Sequence, residues 1–272
     1  MSGICNTDVD KSPMMFEAGP GGSDGLAWEH FGGMLETTKI RKVAILYCRE
    51  AATCSNLLAL YKKWAGPAGV QVVYEGQMSI AQPDYTAEVI QARNSGAEAL
   101  VTLADNATTI RVARSAHRQN WQPLIATQHA GDDERFLKAG GAEVEGAMLA
   151  GPTVDWRTTA EMADYRRAMD RYAPNGARGG MGTAVWAAGK LLEKAAARFS
   201  PHPTAGDVLD GLYSLKGETL GGIVPPLTFA RGRGHADTDT CHVPMVIREG
   251  KVVPLLGPTH FSCTPGWKPV QG

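Results

Sequence analysis

The chain has 272 residues, 43% of them hydrophobic and 20% charged, which suits one large or two small globular units with room for a buried core. Lys plus Arg number 27 against 28 for Asp plus Glu, and a net charge of −1 leaves no electrostatic footprint for nucleic acid. No window approaches the roughly 18 consecutive apolar residues of a membrane span, and Met1–Asp8 carry neither the basic nor the apolar region of a signal peptide.

Gly19-Pro20-Gly21-Gly22 precedes Ser23 and Asp24, which suit capping of a helix starting near Leu26. It follows no clear strand and lacks G-x-G-x-x-G spacing, so it reads as a turn or hinge rather than a dinucleotide loop. The segment KIRKVAILYC (39–48) places an uninterrupted apolar run, Val43 to Tyr47, behind a basic lead-in, the pattern of a strand covered on both faces. In NLLALYKKWAG the residues Leu57, Leu58, Tyr61 and Trp64 recur at helical spacing and stop at Gly66-Pro67. The alternation continues with a strand at 70–74, a helix at 85–94, a strand at 99–103, a helix at 108–119 and a strand at 124–127. A helical turn at 136–139 and a strand at 146–151 follow. Strands alternating with helices at this spacing predict βαβ crossovers and a parallel sheet.

After Pro152 the texture changes. The spacing predicts a helix over 158–172, capped by Thr158 or Thr159, with Met162, Tyr165 and Met169 on one face. A Gly-rich stretch (176–182) leads to a longer helix near 184–199 with a Val185, Ala188, Leu192, Ala195, Phe199 stripe. Thr204 caps a shorter helix carrying Val208, Leu209 and Leu212, and a hairpin (242–247 and 252–256) turns at Arg248-Glu249-Gly250-Lys251. The two long helices have apolar faces but few strands near them in sequence to receive them, so the sheet they cover is either the first one or missing.

Chemistry-bearing patterns are few. No P-loop and no G-x-S-x-G occur. His235 to His242 packs five possible metal ligands, His235, Asp237, Asp239, Cys241 and His242, into eight residues, in a Gly-rich context that suits a solvated turn better than a metal site. Among the five cysteines, Cys5, Cys48, Cys54, Cys241 and Cys263, none forms C-x-x-C. Cys241 and Cys263 flank the hairpin and suit a disulfide, with buried free thiols the alternative. In an open parallel sheet, ligands sit beyond the C-terminal ends of strands, against helix N-termini. Three polar loops fall there: Ala51-Ala52-Thr53-Cys54-Ser55, Ala104-Asp105-Asn106-Ala107-Thr108 and Gln128-His129-Ala130-Gly131-Asp132. The candidate ligand contacts are therefore Ala52, Thr53, Cys54, Asp105, Asn106, Gln128 and His129, with ordinary helix capping as the competing role. Cys54 with His129 would suit a nucleophile pair, but no oxyanion hole or orienting acid is visible.

KIRKVAILY, the run from GVQVVYEGQMSIAQPDYTAEVI to RSAHRQNW, then GAMLAGPTVDW, GGIVPPLTF and the REGK turn resemble the branched-chain amino-acid-binding family, solute-binding proteins of ABC importers with the type I periplasmic fold. The resemblance spans roughly residues 13–256. It implies an α/β fold of two Rossmann-like parallel-sheet lobes closing on a solute, with crossovers near 18–22, 154–157 and 229–233. On that plan residues 1–19 are a remnant of the N-terminal lobe and 20–153 form the C-terminal lobe. Residues 154–230 supply helices of the N-terminal lobe, and 231–272 return to the C-terminal lobe. The resemblance starts just before the first crossover, so the chain is expected to be truncated or split, with the N-terminal lobe incomplete.

The family's two Tyr and one Glu ligand contacts fall at Ala52, Asp105 and His129, none of which keeps the residue type. The implied function is the substrate-binding component of an ABC importer, taking a branched-chain or other amino acid, an amide or a small organic acid. The implied partners are that solute and an ABC permease, with no nucleic acid, no membrane insertion, no cofactor and no catalysis. The implied location is periplasmic, with a lipid anchor as one form of attachment. A ligand-sensing regulatory domain of the same fold and a Cys/His enzyme are the alternatives.

Overall fold

The computed structural model describes Met14, Phe16, Ala18, residues 23–127, 132–229, Arg231 and residues 241–263, with backbone only at 23–27 and Glu29. The expected alternation forms β1 (Lys42–Cys48), α2 (Ala52–Ala65), β2 (Gln71–Met78), α3 (Thr86–Asn94), β3 (Ala99–Leu103) and α4 (Asn106–Arg118). It continues through β4 (Leu124–Ala126), α5 (Glu134–Gly140) and β5 (Met148–Gly151), and α1 (Ser23–Thr37) precedes it all. Strands β1 to β5 pair in parallel, β2 with β1, β1 with β3, β3 with β4 and β4 with β5. The hairpin β6 (Cys241–Arg248) and β7 (Lys251–Pro254) extends this sheet antiparallel beyond β5, in the order β2-β1-β3-β4-β5-β6-β7. A two-residue strand, β8 (Ser262–Cys263), pairs with β6, and the Cys241–Cys263 disulfide closes that pairing.

Period-two alternation explains why β1 reads as an unbroken apolar run. Ala44 and Leu46 point to one face, among Val89, Ala92, Val112, Ala113 and Phe136 of α3, α4 and α5. Val43 and Ile45 point to the other, among Phe31, Met34, Leu57 and Tyr61 of α1 and α2. All four β1 residues are fully buried. At roughly 25 cal/mol per Å² of apolar surface, Val43, Ile45 and Leu46 each contribute on the order of 2 kcal/mol to folding, and Ala44 less.

Among the described residues a third core forms without strands of its own. Helices α6 (Ala163–Tyr172), α7 (Met181–Ala196) and α8 (Ala205–Tyr213) gather Met162, Tyr165, Ala187, Leu191, Ala195 and Leu212 against Leu220, Ile223, Leu227 and Phe229. Thr204 caps α8 in a reciprocal box with Asp207. The opposite side of α7 stays open: Val185 is 48% and Leu192 50% exposed.

The helix expected over 158–172 begins later, at Ala163. Asp155 is the reason. Its carboxylate accepts from Thr158 Oγ1 (2.6 Å), and its carbonyl accepts from Thr159 N (3.2 Å) and Thr159 Oγ1 (2.8 Å). Both proposed caps are thus drawn into a turn ahead of the helix. Cys5, Gly19–Gly22 and most of the His235–His242 run lie outside the described residues.

Candidate functional site

The C-terminal ends of β1, β3 and β4 lie at one edge of the sheet because parallel strands all end on the same side. After β1, the Cys48–Cys54 disulfide, with Cα atoms 5.4 Å apart, staples the strand end to the first turn of α2. Ala51 precedes that helix in an extended conformation with no side-chain cap, Ala52 is exposed and Thr53 half-buried. Cys54 is 8% exposed and its sulfur is bonded to Cys48, so this residue brings no thiol to a ligand and no nucleophile to a reaction.

After β3, Asp105 takes the cap position. Its Oδ1 accepts from Thr108 N (2.9 Å) and its Oδ2 from Thr108 Oγ1 (2.9 Å), while Arg111 Nη2 donates to Thr108 Oγ1 (2.9 Å) and to Ile80 O (2.7 Å). Asp105 therefore has a structural role, leaving Asn106 half-buried beside it. Asp105→Ala is expected to cost about 1 kcal/mol of stability, the usual loss for a helix cap, whereas Asp105→Asn should cost less. Urea unfolding of both variants checks this. Gln128 and His129, at the end of β4, lie outside the described residues.

The described part of the third loop resumes at Asp132, and it leads to a charged cluster that the candidate contacts did not include. Asp132 and Asp155 are each 1% exposed. Arg157, on the crossover from β5 to α6, reaches both: its Nη2 donates to Asp132 Oδ1 and its Nη1 to Asp155 Oδ1 (3.0 Å). The guanidinium lies over the Trp156 ring, 4.6 Å from its centroid. Asp132 also accepts from the Gly180 backbone N–H at the start of α7. Burial pushes its carboxyl up to about 6, against the pull of Arg157 and with the push of Asp155.

Backbone contacts join the same elements. Asp133 forms an isolated antiparallel bridge with Gly179, whose N–H also donates to Tyr165 Oη (3.2 Å). Gly179 has φ 88°, and a Cβ there would strike the Asp132 carbonyl and stand 2.9 Å from Trp156 Nε1. Glycine is required by both its conformation and this approach. The sequence did offer a signal, Asp-Trp-Arg at 155–157 and Gly-Gly at 179–180. What it lacked was any indication that Asp132 meets them.

In an open parallel sheet a ligand sits beyond the C-terminal ends of the strands, and here the described residues after β4, Asp132 and Asp133, meet Arg157 and the start of α7. Residues 4–248 match the sequence profile of the periplasmic binding protein family. The chain belongs to that family. Solved structures of similar fold include a leucine-binding protein LivK from Thermotoga maritima, 11% identical with a TM-score of 0.72, covering 89% of this chain and 66% of that one. A solute-binding protein of an ABC transporter from Rhodopseudomonas palustris, solved with benzoate, is 11% identical with a TM-score of 0.70, over 92% of this chain and 66% of that one. An extracellular ligand-binding receptor from R. palustris HaA2 is 16% identical with a TM-score of 0.70, over 86% and 67%. This binding protein thus spans about two thirds of the length of these relatives. A search of curated proteins finds no match. No helix among the described residues is long and apolar enough to cross a membrane.

Proposed function

We propose that this chain is the solute-binding component of an ABC importer and that it holds a small polar solute between the loop edge of its sheet and its helical lobe. The observation that carries this reading is that β1, β3 and β4 run parallel and end at one edge of the sheet, in a chain whose family match runs from residue 4 to 248. On this reading residues 20–153 and 231–272 form one lobe and 154–230 the other. Ala52, Thr53, Asn106, Gln128 and His129 contact the solute, while Asp105 and the Cys48–Cys54 disulfide hold two of the contact loops in place. The solute is an amino acid, an amide or a small organic acid, among them aromatic acids, and it leaves the site unchanged. Two disulfides support an oxidising, extracytoplasmic location.

The test is a thermal-shift screen against branched-chain amino acids, their amides and aromatic acids. A true solute at about 100 times its Kd adds roughly 2.7 kcal/mol of stability, raising Tm by several degrees. Saturable stabilisation with the solute recovered intact is the expected result. Consumption of the solute, or no saturable shift across the panel, would overturn the reading.

A further inference from the structure

We propose that the join between the two lobes is a proton-coupled latch, in which seating Asp132 against Arg157 and the N-terminus of α7 takes up one proton from solvent. Two carboxylates, Asp132 and Asp155, share the single guanidinium of Arg157, so the cluster carries one uncompensated negative charge. Both carboxylates are 1% exposed, and a buried charge without a partner is costly.

Among the described residues the other groups near the cluster are engaged elsewhere, Arg166 donating to the Trp156 carbonyl (2.6 Å). Tyr165 on α6 faces Asp132 with a neutral phenol, and it in turn faces Arg178 and Glu134. Arg178 is paired with Asp170 (2.5 Å), and Asp133 with Arg135 (2.7 Å). Protonating Asp132 makes the cluster neutral while Arg157 stays on Asp155.

In the joined form Asp132 is desolvated, whereas in an open form water reaches it. The joined form therefore holds the proton more tightly, and its carboxyl stands at about 6 rather than near 3.8. Linkage then fixes the direction: acidification through about 6 favours the joined form, and neutral pH loosens it. This differs from an ordinary salt-bridge latch, which acid opens. The inference rests on the lobe join alone and not on what the cleft binds.

Hydrogen exchange on the full chain without solute tests it. After correction for intrinsic rates, amide protection over 176–186 is expected to rise roughly tenfold between about pH 7.5 and pH 5. Asp132→Asn, a neutral mimic that still accepts from Arg157 and Gly180, is expected to show the high protection at both pH values. Wild-type protection that stays flat or falls on acidification would overturn the proposal. So would an Asp132→Asn variant that keeps the wild-type pH response. If that variant does not fold, carbon NMR of the wild-type Asp132 carboxyl decides: titration in the ordinary aspartate range, near 3.8, sinks the latch, and titration near 6 supports it.

Discussion

Replacing Arg157 with methionine is expected to lower the unfolding free energy by about 3–5 kcal/mol at neutral pH, the cost of removing one partner from a buried ion pair. Methionine keeps most of the aliphatic stem, so the loss reports the charge more than the packing. It leaves Asp132 and Asp155 buried, both 1% exposed, with no guanidinium between them. It also removes the cation that lies 4.6 Å from the centre of the Trp156 ring. The cost should shrink at about pH 5, because Asp132 then carries a proton and only one carboxylate remains uncompensated. Arg157→Lys should fall between wild type and methionine, since an ammonium is a point charge without the fork that spans two carboxylates. Asp132→Asn combined with Arg157→Met should recover part of the loss. Urea unfolding at the two pH values measures all of this. A loss below about 1 kcal/mol at both would mean that the cluster is solvated and carries little weight.

That cluster marks the limit of what the sequence disclosed. Strand β1 was legible because Val43 to Leu46 serve two faces at once in a run too short for a helix and bounded by charged residues. The face that α2 packs on the sheet followed from the helical spacing of Leu57, Leu58 and Tyr61. Asp105 was legible as an N-cap, although its capping bonds weaken its case as a solute contact. The Cys48–Cys54 bond was not legible, because a spacing of six residues does not reveal that a strand end and a helix start bring their Cα atoms to 5.4 Å. The false start of α6 has a local cause: Asp155 competes with the helix for Thr158 and Thr159, and side-chain capping outweighs the apolar periodicity that suggested an earlier start. Asp132 and Arg157 are 25 residues apart, and only the passage through β5 and the crossover brings them together. No periodicity encodes such a pairing. It becomes visible once the topology is known.

The acid response of the whole chain provides a second test of the same physics. His242 on β6 is fully buried, and neither ring nitrogen has a hydrogen-bond partner among the described residues. Helix α1 packs this close because of Gly32, where a Cβ would lie 2.8 Å from the His242 ring. Burial, with a smaller contribution from His30, pushes His242 down to about 3. Its folded value is thus depressed, so the stability it permits is complete above its ordinary value of 6.5 and drains as pH falls toward 3. The slope is about 1.4 kcal/mol per pH unit.

Asp132 has the opposite sign. Its folded value is raised, so ionisation above about 6 costs stability and acidification returns it until the unfolded carboxyl protonates near 3.8. Between those limits the two slopes oppose each other, and each hides the other in the wild type. His242→Leu is expected to gain about 2–3 kcal/mol over wild type near pH 4.5 and much less at neutral pH. Asp132→Asn is expected to lose ground against wild type over the same interval. Each difference is taken against wild type at the same pH, so groups common to both chains cancel. If His242→Leu leaves the pH dependence of unfolding unchanged, His242 is hydrated in solution and protonates freely. If Asp132→Asn does the same, the Asp132 carboxyl is already ionised at little cost, and the charge balance assigned to Arg157 is wrong.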